Sequence, residues 1–169
     1  MSLFSLVQLR ELRKLISRHC GCSVKGSTYV SSSIETDIVL AGTPVKMAGT
    51  TTLISQGNGI EDGGQSNRLQ YTGSDTILFD VTAAFSVTVA GSNKEFAFYV
   101  YKYDSEAGTG AILPQSSIPM THGVGPDFMT VAMAFQASLS KDDYIEIWVE
   151  NNTDNTNITM VAGSFNIMQ

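Results

Sequence analysis

From residue 34 onward, apolar positions recur with a period of two in short runs, each closed by a turn signal. Ile38-Val39-Leu40 precedes Ala41-Gly42-Thr43-Pro44, Val45 to Met47 precedes Ala48-Gly49, and Thr51 to Ile54 leads into Gln56-Gly57-Asn58-Gly59. Arg68 to Tyr71 stops at Gly73, and Thr76 to Val89 is long enough for two strands. Phe96 to Tyr103, Phe128 to Ala137, Tyr144 to Val149 and Ile158 to Ile167 complete the set. About ten short strands with Gly-rich turns and no intervening helical period predict an all-β, antiparallel jelly-roll sandwich.

The pattern changes before that body. Ser5-Leu6-Val7-Gln8 fits a capping box, and Leu9, Leu12 and Ile16 follow at helical spacing until Cys20-Gly21-Cys22 ends the stripe. The chain therefore divides into an amphipathic N-terminal α-helix over 1–22, a Ser-rich connector over 23–33 and a jelly-roll knob over 34–169. A helix of about four turns is marginal alone in water, so it must dock on something. Charge sharpens that reading. Residues 1–26 carry a net +4 and the remainder −10, within a formal total of −6. Such asymmetry between segments reports a partner. Leu9, Leu12 and Ile16 are the expected apolar knobs of an attachment element. Arg10, Arg13, Lys14 and Arg18 are its expected contacts with an acidic shell.

Within the body, Glu95 to Tyr103 is the most informative strand. Phe96, Phe98 and Val100 fall on one face, and Ala97, Tyr99, Tyr101 and Tyr103 on the other. A two-layer sandwich buries one face of each sheet, so the tyrosine face needs a cover. A neighbouring subunit is the expected one, with Tyr99, Tyr101 and Tyr103 at its interface.

Composition excludes more than it assigns. An acidic body disfavours nucleic acid as a partner, since phosphate binding needs a positive surface. No apolar run approaches a membrane span, and the start lacks the basic n-region of a cleavable signal, so membrane insertion is not expected. His19 and His122 are the two histidines, and there is no Gly-x-Ser-x-Gly nucleophile elbow. No enzyme activity, cofactor or metal is expected. The Asp62-Gly63-Gly64 and Asp142-Asp143 turns lack the ordered oxygen spacing of an EF-hand calcium loop. Cys20 and Cys22 read as free thiols in a reducing compartment, with an interchain disulfide or a metal site as the alternatives. Asn151 and Asn157 sit in N-x-Thr sequons read as chance matches.

The stretch Leu139-Ser140-Lys141-Asp142-Asp143-Tyr144-Ile145 resembles a strand-entry motif of C1q/TNF-like jelly rolls, with Asp142 where that family usually has Gly. Ala41-Gly42-Thr43-Pro44-Val45-Lys46 and Asn67-Arg68-Leu69-Gln70-Tyr71-Thr72-Gly73 resemble the phage-type members of the group. So does the closing Asn151-Asn152-Thr153 with Ile158-Thr159, which extends the resemblance over residues 34–169. It implies a ten-strand jelly roll, a homotrimer, and a place on the virion surface after assembly in the host cytoplasm. The resulting expectation is a non-enzymatic capsid decoration (cement) protein or head spike whose helix holds a major capsid protein or other virion protein. The alternative is the receptor-binding knob of a tail fibre, with a host glycan or surface protein held by segments 56–66 and 104–127. His122 and Asp127 are the candidate contacts in the second of these segments.

Overall fold

Thirteen strands divide between two antiparallel sheets in a computed structural model that describes residues 24–56, 59–123 and 128–169. The first sheet runs in the order β11 (Phe128–Leu139), β7 (Ile77–Val89), β13 (Ile158–Met168), β1 (Lys25–Ser32), β4 (Thr50–Gln56), with β2 (Glu35–Thr36) paired to β13. The second runs β10 (Ile118–His122), β8 (Lys94–Asp104), β12 (Tyr144–Asn151), β6 (Arg68–Tyr71), β5 (Ile60–Glu61). There β3 (Val45–Lys46) pairs with β12 and β9 (Thr109–Ile112) with β8. This is the jelly-roll sandwich expected from the sequence. The attachment helix and its seven named residues, with His19, Cys20 and Cys22, lie outside the described residues.

Alternation builds the core. Phe79, Val81, Phe85 and Val87 of β7 face Phe96, Phe98 and Val100 of β8 and Ile145, Ile147 and Val149 of β12, all buried in one cluster. Ring edges meet between layers, with Phe85 and Phe98 at 5.5 Å and Tyr71 and Phe79 at 5.2 Å, both near T-shaped.

Two expectations are corrected. The segment 25–32, read as part of a connector, is β1, paired to β13 on one side and β4 on the other. Its inward positions are Gly26, Thr28 and Val30, too small and polar to read as a strand, yet they alternate cleanly with Ser27, Tyr29 and Ser31. Gly26 is required there, because a Cβ would stand 2.1 Å from Cγ2 of Ile60. The run 76–89, read as long enough for two strands, is one strand, paired with β11 from Ile77–Leu139 to Thr88–Phe128. Nothing inside it has the chemistry of a turn.

Strand order sorts the connections into two poles. The turns after β6, β8 and β11 lie at one end, beside the point where Lys25 pairs with Met168 and the amide of Gln169 donates to the Val24 carbonyl. The turns after β7 and β12, the end of β10 and the segment 37–44 lie at the other. Asp142, in the turn before β12, holds φ at +66°. Asp142→Gly is expected to raise stability by about 0.5–1 kcal/mol, since only glycine adopts that region without strain. Thermal unfolding would read this as a rise of a few degrees.

Candidate functional site

The outer face of the second sheet carries the aromatic strand. Tyr103 stands opposite Tyr144 and Tyr101 opposite Glu146. Tyr103 and Tyr144 stack at 4.7 Å, Tyr101 and Trp148 at 4.5 Å, and the Arg68 guanidinium lies 3.7 Å from the Tyr144 ring centre. Beneath them Glu146 is only 4% exposed along its side chain. Its Oε1 accepts from Lys46 Nζ at 2.8 Å and Arg68 Nε at 2.8 Å, and its Oε2 from Trp148 Nε1 at 3.1 Å. Tyr99 donates its hydroxyl to Glu150 Oε2 at 2.8 Å. Burial, reinforced by that carboxylate, pushes the Tyr99 phenol up to about 12. Burial also raises Tyr144 above its ordinary value, with Arg68 opposing. The tyrosines are thus half-buried, and the rings of Tyr101 and Tyr103 stack on partners within the same chain.

The outer face of the first sheet differs in kind. Register places Ala132, Ala84, Ser164 and Tyr29 in one row across four strands, with Thr130, Ser86 and Ala162 on one side and Ala134, Thr82, Asn166 and Ser27 on the other. Asp80 and Lys25 bear charges toward the pole where the chain enters the body, and exposed Glu35 of β2 bears one toward the other. Around this flat centre stand Leu78, Phe128, Tyr29, Ile54 and Met168, all among the exposed large apolar side chains. Phe128 is 68% exposed. β11 forms the edge of this sheet and contains no charged residue and no proline. An uncharged edge of that length is left open only where something covers it. Sequence reasoning did not single out this face, although its outward positions on β7 and β11 alternate visibly.

Of the candidate receptor segments, Ile60 and residues 105–108 lie at the entry pole, whereas His122 and Gly123 lie at the opposite one. His122 is buried, at 2% exposure, and points into the sandwich. Asp127 lies outside the described residues. Asn151 is fully buried and organises its own turn, donating to Asp154 and the Thr156 carbonyl and accepting from the amides of Thr153 and Asp154. Its sequon is therefore a structural element. Among the described residues no three His, Cys, Asp or Glu side chains gather to hold a metal ion, and no helix is long and apolar enough to cross a membrane.

Two antiparallel sheets in this order define a jelly roll of the C1q/TNF-like type. Among solved structures, murine APRIL at pH 5.0 superposes with a TM-score of 0.58 at 11% identity, covering 86% of this chain and 98% of that one. Eiger TNF from S. frugiperda superposes at 0.56 and 8% identity, covering 87% and 92%. No family model matches the sequence, and no curated protein does. The likeness is one of fold.

Proposed function

We propose that this chain is a non-catalytic knob that self-associates as a trimer and is displayed on a virion surface, held there by its basic N-terminal segment as a capsid decoration or head spike. The observation that carries self-association is the outer face of the first sheet, whose centre around Ala84, Ala132 and Ser164 carries no charge. Five strands of about ten residues make a plane of roughly 20 by 30 Å, comparable to what one partner buries in a stable complex. Threefold closure is heterologous and needs two different patches. The face around Ala84, Ala132 and Ser164 supplies one, and the uncharged β11 edge with Phe128 supplies the other. The tyrosine face is the alternative seat of the contact, with Tyr99, Tyr101 and Tyr103 its residues.

Light scattering behind size exclusion separates these readings. The wild type is expected at three times the 18.2 kDa chain mass. Ala84→Arg with Ala132→Arg is expected to give a folded monomer, and Tyr101→Ala with Tyr103→Ala to stay trimeric. The reverse result moves the contact to the tyrosines, and a monomeric wild type at micromolar concentration ends the proposal of self-association.

The virion reading is supported by the charge asymmetry and by the resemblance to phage-type members. Three weak helices acting together suffice for attachment, because the second and third contacts are intramolecular. Labelled-antibody microscopy of purified virions should spread label over the head, and Leu9→Glu with Leu12→Glu should remove it. Label confined to a tail tip would favour receptor binding. In that case segments 37–44, 90–93 and 152–157, gathered at the pole away from chain entry, become the surface to mutate, with exposed Val39 and Leu40 first. Absence from the particle overturns both virion roles.

A further inference from the structure

On β10 the inward side chains are Ile118, Met120 and His122, whose register partners on β8 are Phe98, Phe96 and Lys94. A histidine thus occupies the last place in an apolar ladder. It is 2% exposed, and neither Nδ1 nor Nε2 has a hydrogen-bond partner. It is the one described residue with a buried side-chain nitrogen or oxygen left in that state. Native proteins seldom leave such groups unpaired without a reason.

Among the described residues, no anion stands free for this ring. On β8, Lys94 is a cation and its carboxylate partner Asp154, in the turn after β12, is already engaged by it. Glu95 is exposed on the opposite face of β8. β11 carries no charge, and the short 3-10 turn at Pro114–Ser116 has none. Asp127 lies outside the described residues. β10 is moreover an edge strand, paired to β8 alone, with Pro119 where an interior strand needs an N–H. Beyond His122, the tie is Gly123, whose carbonyl accepts the Asn93 amide at 2.9 Å.

We propose that His122 is a proton-operated latch on the open edge of the second sheet. The neutral ring fits the apolar slot. A proton on its free nitrogen puts a second cation beside Lys94 with no acceptor, and the least costly response is for Met120–Gly123 to swing the ring into water. That uncovers the edge of β8 and the core at Phe96. The neutral form belongs to the closed state, so protonation of the ring in acid works against closure.

Hydrogen exchange by mass spectrometry, corrected for the intrinsic pH dependence of amide exchange, reads the latch directly. A peptide spanning Ile118–Gly123 in the full-length protein should exchange at least about tenfold faster at pH 5.0 than at pH 7.5, while the central strands β7 and β13 stay protected. His122→Phe should abolish the pH effect, and His122→Leu serves if the ring proves too large. His19→Gln, which removes the other histidine, should leave the effect intact. Equal protection of the peptide at both pH values in the wild type overturns the latch. So does an acceleration of the same size in the His122 variants.

Discussion

Asp143→Ala is expected to destabilise the knob by about 3–5 kcal/mol, the range seen when one partner of a buried charge pair is removed. The carboxylate is buried, its side chain 1% exposed. It accepts the Ser105 amide at 2.9 Å, the Ser140 amide at 2.9 Å and the Lys102 ammonium at 3.0 Å. It therefore ties the turn after β8 to the turn before β12 and covers the end of the core. Truncation leaves two amides and a cation with no acceptor, and each unsatisfied group adds its own desolvation cost. Asp143→Asn keeps one acceptor oxygen and should lose less. Burial alone would raise this carboxyl, but the two amides and Lys102 outweigh it and hold its pKa below the ordinary value. A depressed folded-state pKa means that the stabilisation is complete above the unfolded value near 4 and drains away as pH falls through the folded value. Urea midpoints should therefore fall from pH 5 to pH 2.5 in the wild type, and more shallowly in Asp143→Asn. Parallel midpoint curves for the two would show that Asp143 is not the group responsible. Asp143 stands at the opposite pole from His122, so the two effects are separable by location.

How much of this was legible in the sequence depended on what each residue had to report. Phe96 to Tyr103 announced both its faces, because large apolar and aromatic groups alternate without interruption. β1 did not, because Gly26 and Thr28 fill an inward space too narrow for larger side chains, and smallness reads as a linker. The strand-entry motif pointed to Asp143 through its pattern, and the structure adds what the carboxylate holds. Asp142 departs from that pattern in residue type but adopts the left-handed conformation that a glycine would occupy.

The candidate interaction surfaces were less legible, for a topological reason. Whether segments 56–66 and 104–127 share an end depends on which strands are neighbours, and that is fixed by long-range pairing. The tyrosines showed that their face needed a cover. Their stacking partners Trp148, Tyr144 and Arg68 come from other strands, so the sequence alone could not show how much of that cover is internal. The first sheet's outer face went unremarked for the opposite reason. Alanine, serine and threonine attract no attention singly, and only the register that sets Ala132 beside Ala84 and Ser164 makes them a surface.

Glu146→Ala should be the most damaging change on the tyrosine face, costing about 3 kcal/mol or more, since a buried acceptor shared by two cations is lost. Lys46 and Arg68 keep some access to water, with side-chain exposures of 29% and 19%, which sets the effect toward the lower end for such pairs. The loss spreads beyond the ion pairs. Arg68 is fixed over Tyr144 by its bond to Glu146, and Trp148 is oriented for stacking on Tyr101 by its own bond to the same carboxylate. Removing the carboxylate therefore loosens both ring stacks at once, and the tryptophan fluorescence should shift to the red as Trp148 gains water. Glu146→Gln tests charge against shape. It retains an acceptor for one cation but brings amide protons toward the other donors, so it should recover only part of the loss. Full recovery would mean that the carboxylate acts as a shaped acceptor and that its charge adds nothing. If the proposed self-contact lies on the first sheet, both variants should lose stability yet keep the wild-type mass in light scattering below their melting temperatures. Dissociation of the folded Glu146→Gln variant would instead place the contact on the tyrosine face.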